Sequence, residues 1–259
     1  MLRPLALVAK TVLIEALRRK EIYALVMVAG GLILAAGTLQ FFDLGDTLRI
    51  YREMALKVMN VATALTMIVL AARQLPREFQ NRTVYPLLAN PVGRFPFLLG
   101  KFVGVMSAGV FCYLLFMALF LLGTLWMKEP VSWGLFLQSV YLQILGLTVV
   151  AALAYMLSLL LNLDATITVS TLIFILASAY TSILSTLYEL VGQAGKVVLL
   201  ALNFLIPHLT LFDLSAKVVH QQAWTAISTQ AMVLLTCYGC AFVAAYLALA
   251  YVLFRRKPL

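Results

Sequence analysis

The chain has 259 residues, of which 64% are apolar and only 11% charged, with a formal net charge of +9 and a mean hydropathy of +1.02. A soluble globular chain carries roughly 25% charged residues and cannot expose apolar surface on this scale. The composition therefore argues against a soluble enzyme or nucleic-acid-binding domain and for a protein embedded in a membrane.

Taken in order, the first element is Pro4 to Lys20, too short and too charged to span. At helical spacing Leu5, Val8, Ala9, Val12, Leu13 and Ala16 share one face, while Thr11, Glu15, Arg18 and Arg19 share the other. This predicts a helix lying in the membrane interface, with Pro4 in its first turn and Arg18, Arg19 and Lys20 at the headgroups. It serves either as a brace against a partner or as an anchor that turns the chain into the first span. No small-residue cleavage pattern follows Ile22, so the N-terminus does not read as a signal peptide.

Apolar windows long enough for roughly 30 Å of hydrocarbon then recur: Ile22 to Phe42, Phe102 to Trp126, Leu135 to Leu161, Ala165 to Leu187 and Ala231 to Phe254. A weaker window, Val58 to Ala72, needs the polar turns before it to reach full length. In that preceding stretch Asp46 is placed to cap a helix, and Arg49, Glu53 and Lys57 repeat every four residues as an ion ladder. Lys57 then either snorkels to the headgroups or lines a path. These windows predict an all-α protein of six spans, because a helix satisfies its own backbone in lipid; the alternating pattern of barrel strands is missing.

Gly100 and Gly104 form a G-x-x-x-G at the start of the third span, a spacing suited to close helix packing. The turn from Leu160 to Asp164 is tight, with Asp164 placed to cap the fifth span. Residues 188–230 form an outer region whose ten-residue apolar run, Val197 to Ile206, rises only about 15 Å before Pro207 breaks it. This predicts a re-entrant or split helix pair. His208, Asp213 and His220 match no strong ligand spacing, and an interfacial belt with Trp224 explains them better than a metal site or a proton relay. Cys237 and Cys240 sit in an apolar helix and read as a packed small-residue face, not a redox pair. With Cys112, they imply no disulfide framework.

Thirteen of the nineteen Lys and Arg fall on the side that receives both termini and residues 73–101, against four of the ten acids. The whole excess of +9 thus lies on one side, and the positive-inside rule places both termini in the cytoplasm. No P-loop, H-E-x-x-H or G-x-S-x-G is present, which speaks against catalysis by this chain. The spans hold almost no acids at mid-depth, which argues against a proton- or sodium-driven pump, since such a pump needs a buried carboxylate in its path.

The segment between the second and third spans is the least like a plain connection. It contains "EFQNRTVYPLLANPVGRFPFLLGK", Glu78 to Lys101, where Pro86, Pro91 and Pro96 bar one continuous helix. Pro76 just before it opens a short turn with Arg77, Glu78 and Phe79. Tyr85, Leu87 and Leu88 stand where water or headgroups would meet them. Burying each leucine is worth roughly 1.5 to 3 kcal/mol, so the segment gains by lying in a groove.

The order and spacing of Glu78, Thr83, Leu87, Leu88, Pro91, Arg94, Leu98, Leu99, Gly100 and Lys101 resembles the corresponding segment in membrane subunits of ABC-2 type transporters, as does "IPHLTLFD" (Ile206 to Asp213) more loosely. The resemblance implies a single domain over residues 1–259: six spans, both termini inside, an N-terminal interfacial helix (residues 4–20), and re-entrant helices before the sixth span.

It further implies that residues 73–101 carry a coupling helix docked on a separate cytoplasmic ATPase, which binds the ATP and Mg. Glu78, Phe79, Arg82 and Thr83 would lie near the ATPase, and Leu87 and Leu88 in the joint. Tyr85 would be either a wedge there or a headgroup-level tyrosine. Arg94 and Lys101 would stand at the base of the third span. Two permeases, identical or paralogous, would work with two ATPases in a bacterial or archaeal cytoplasmic membrane, and this chain itself would hold no metal or cofactor. The function so implied is ATP-driven transport, by analogy export. The alternatives are a non-transporting membrane anchor of the same fold and a stand-alone channel or carrier.

Overall fold

The computed structural model describes residues 2–17, 27, 30–31, 47–80, 94–126, 132–190, 192, 196, 207–219 and 226–256. Among these residues the regular structure is helical throughout, as the composition predicts. The elements are α1 (Leu2–Leu17), α2 (Thr47–Gln80), α3 (Arg94–Trp126), α4 (Trp133–Leu157), α5 (Leu163–Leu190), a 3-10 turn (Leu209–Leu211), the short α6 (Ser215–Val219) and α7 (Thr229–Arg256).

By length and composition four of these helices can cross a membrane: Arg52–Pro76 within α2, Arg94–Leu122 within α3, all of α4 and all of α7. In α5 the apolar stretch Leu163–Ala179 is shorter. The predicted first span, Ile22 to Phe42, lies outside the described residues except for Met27, Gly30 and Gly31, which are helical.

α2 shows why its window looked weak in sequence. The polar turns from Thr47 belong to one 34-residue helix, and Lys57 pairs with Glu53 one turn back, so the ladder is partly realised on an exposed face. At the other end Pro76 lies inside the helix. It does not open a turn of its own, as the sequence suggested. There it forfeits the bond to the carbonyl of Ala72 and its ring crowds that carbonyl, yet the helix runs on through Gln80. Pro96 causes no break either: it occupies the first turn of α3, where the missing N–H would have had no helical partner.

The hydroxyls within the helices mostly bond backward to their own backbone. Thr66 donates to Ala62 at 2.7 Å, Thr148 to Ile144 at 2.7 Å and Ser178 to Phe174 at 2.7 Å. Such residues satisfy themselves in an apolar medium and mark no polar path.

α2 and α4 form the centre, with 56% of each spanning window buried inside the chain, whereas α7 is peripheral at 11%. Buried side chains of α2, α3 and α4, among them Met59, Ile68, Phe116, Leu142 and Tyr155, make one continuous core. Three joints are built on glycine. A Cβ on Gly104 would come 2.5 Å from Cβ of Val12 in α1, one on Gly239 2.8 Å from Cγ of Leu145, and one on Gly146 3.0 Å from Cβ of Phe212. Backbones approach closely there because nothing stands between them. Asp164 falls within the first turn of α5, where it complements the helix dipole, and does not precede the helix as a cap.

Between Lys196 and α7 the chain is described at residues 207–219 and from 226 onward. There it folds into the bundle: Leu209, Phe212, Leu214, Val218 and Val219 are buried, and Asn60 of α2 donates to Ser215 Oγ at 3.1 Å. Of the predicted interfacial belt, His208 is partly buried and Asp213 exposed. His220 and Trp224 lie outside the described residues. Likewise Cys237 and Cys240 are exposed on α7, while Gly239 between them faces the bundle.

Candidate functional site

The strongest sequence signal lies between α2 and α3, and the structure describes both of its flanks. Glu78 and Phe79 fall in the last turn of α2, where the backbone alone is described. Arg82, Thr83, Tyr85, Leu87 and Leu88 lie outside the described residues, as do Arg18, Arg19 and Lys20. The far flank is the base of α3, and here the side chains are placed.

Arg94 is the first residue of α3. Its guanidinium donates through Nη1 to the backbone carbonyl of Arg255 at 3.1 Å. That carbonyl belongs to the last turn of α7, whose final C=O groups have no helical partner, so a cation there both caps the helix and complements its dipole. Two ring contacts extend the same joint. Phe95 meets Tyr251 edge-on with centroids 5.5 Å apart, and Phe97 stacks on Phe254 at 6.2 Å.

One turn further, Tyr155 of α4 donates its hydroxyl to the carbonyl of Leu98 at 3.1 Å, and its ring lies 5.8 Å from Phe102. A buried tyrosine needs such an acceptor, and a carbonyl in the first turns of α3 supplies it. Gly100 is buried, and Gly104 receives Val12 of α1. Lys101, expected among the headgroup charges, is only 6% exposed, with Nζ 5.5 Å from the centroid of the Phe97 ring. The aromatic face offsets part of the cost of burying the ammonium.

Within about three helical turns, the base of α3 is thus tied to α7, α4 and α1. The arrangement holds no catalytic constellation. Among the described residues no group of three or more His, Cys, Asp or Glu could hold a metal. Its chemistry is mechanical: a basic, aromatic foot rigidly joined to three other helices. Sequence reasoning placed Arg94 and Lys101 at this foot but missed Tyr155, Phe254 and the Arg255 carbonyl. Only Tyr155 left a signal, as a tyrosine inside an apolar window that must find an acceptor.

A comparison with protein-family models matches residues 8–259 to the ABC-2 family transporter proteins. The chain belongs to that family. The match begins within α1 and runs to Leu259. As an ABC-2 permease it is a multi-pass membrane protein and the transmembrane component of an ABC transporter; subunits of this kind are not themselves enzymes. No curated protein matches the chain.

Proposed function

We propose that this permease is the membrane half of an ATP-driven exporter, and that residues 73–101 are the handle by which a separate ATPase subunit moves it. The observation that carries this reading is the foot of α3. A displacement applied between Gln80 and Arg94 reaches α7 through Arg94 and Phe97, α4 through Leu98, and α1 through Gly104. A simple connecting loop needs no such joints.

In this reading Glu78, Phe79, Arg82 and Thr83 face the ATPase, Leu87 and Leu88 fill the joint, and ATP with Mg stays on the partner. The one-sided excess of basic charge puts this handle and both termini in the cytoplasm. Two permease copies and two ATPases form the working unit, and the apolar spans suit an amphiphilic cargo. The deciding experiment is co-purification of the ATPase with the permease from membranes. Changing Phe79, Arg82 and Leu87 together to alanine should abolish it while leaving permease abundance unchanged. Retention of the ATPase by that triple variant would overturn the proposal.

A further inference from the structure

A cleft of about 50 Å³ opens where α2, α4, α5 and the inserted outer segment meet. Its polar lining consists of Asn60, Gln143, Ser178 and Asp213; Leu147 and Phe174 are among its apolar walls. The hydrogen bonds already made there decide what it can bind. Asn60 spends its amide N–H groups on Ser215 Oγ at 3.1 Å and, more weakly, on Asp213 Oδ1 at 3.5 Å. Ser178 gives its proton to the Phe174 carbonyl. Asp213 Oδ1 also accepts from the Ser215 amide at 2.9 Å, and the carboxylate pairs with no cation among the described residues. The Gln143 amide, midway along α4, makes no hydrogen bond with a described residue.

The lining is rich in acceptors, namely a carboxylate, the Asn60 carbonyl oxygen, the Ser178 lone pairs and the Gln143 oxygen, while the Gln143 amide adds N–H donors. The carboxylate and the surplus of acceptors favour a ligand that brings donors and positive charge. The cleft has room for an –NH₃⁺ group with its first methylene, and a trimethylammonium, which has no N–H to donate, cannot satisfy these acceptors.

We infer that this cleft binds the primary ammonium head of an alkylamine cargo, with the chain lying along Leu147 and Phe174. The inference rests on the transport reading, since it names the class of cargo. A long-chain amine and a small free amine share the head chemistry, and the apolar walls favour the former.

The test uses the full chain in phosphatidylcholine nanodiscs without an ATPase, so that a failure of coupling cannot mimic a failure of binding. The probe is a long-chain primary amine with a photoreactive diazirine in its tail, and labelled residues are mapped by mass spectrometry. Labelling is expected at Leu147 and Phe174, displaced by dodecylammonium but not by ethylammonium, dodecyltrimethylammonium or dodecyl sulfate. Asp213→Asn should weaken it about tenfold, as expected for loss of a charge-assisted contact. Ser178→Leu, which fills the cleft and leaves Asp213 alone, should also abolish it; unfolding midpoints show whether either variant is folded. Undiminished labelling in folded Ser178→Leu, equal competition by the trimethylammonium, or labelling spread over the outward faces of α3 and α7 would each overturn the inference. Displacement by ethylammonium as effective as by dodecylammonium would overturn its assignment to a long-chain cargo.

Discussion

Gly104 stands where a single methyl group would collide with Val12, because α1 rests directly on the backbone of α3. Gly104→Ala should therefore cost about 1–3 kcal/mol by overpacking, seen as a lower unfolding midpoint and faster proteolysis of the N-terminal helix. Val12→Ala in the same chain should recover part of the loss, and a double-mutant cycle of midpoints measures the coupling. Tyr155 offers a milder test. Tyr155→Phe keeps the ring against Phe102 but leaves the Leu98 carbonyl without its donor, for an expected loss of about 0.5–1.5 kcal/mol in the same assay. The two residues differ in how far sequence could reach them. The four-residue spacing of Gly100 and Gly104 announced a close contact, but nothing in the spacing said that α1 would fill it. Tyr155 and Leu98 are 57 positions apart, and only the folded chain brings them together.

The helices themselves were the most legible feature, because an apolar run of sufficient length has one way to satisfy its backbone in lipid. α3, α4 and α7 begin and end within a few residues of the predicted windows, except that α3 starts earlier, with Arg94 to Lys101 as its first turns. The boundaries went astray where proline was read as a break. Pro96 costs little in the first turn of α3, and α2 continues past Pro76 despite the lost bond, so each helix reaches further into the connecting segment. Asn60, Asp213 and Ser215 were illegible as a cluster, since their meeting depends on how the outer segment inserts beside α2. That insertion predicts an effect at Gly146. Gly146→Val would drive a branched side chain into Phe212 and should expel the segment. A cysteine placed at Leu209, buried in the native fold, would then react readily with a water-soluble maleimide.

For the molecule as a whole, the charge balance and the resemblance in residues 78–101 led to the transporter family before any geometry, and the family match spans the same chain. What they could not supply was the linkage between the handle and the rest. Arg94 provides the sharpest test of it. Arg94→Ala removes the cap on the Arg255 carbonyl and loosens α7 from α3, leaving only the two ring contacts of that joint, and on the proposed function it leaves the ATPase-facing residues unchanged. The expected result is a complex that assembles normally and hydrolyses ATP with reduced cargo movement, measured as the ratio of transport to hydrolysis in proteoliposomes. An unchanged ratio would show that α7 does not follow the foot of α3.

The tie between Arg94 and Arg255 also turns the end of α7 into a gauge. A fluorophore attached at Arg256, the exposed neighbour of the bonded carbonyl, would ride with the foot of α3 without occupying any surface assigned to the ATPase. If the proposed coupling holds, its emission, followed after rapid mixing of the assembled complex with nucleotide, would time the movement of that foot from inside the membrane subunit.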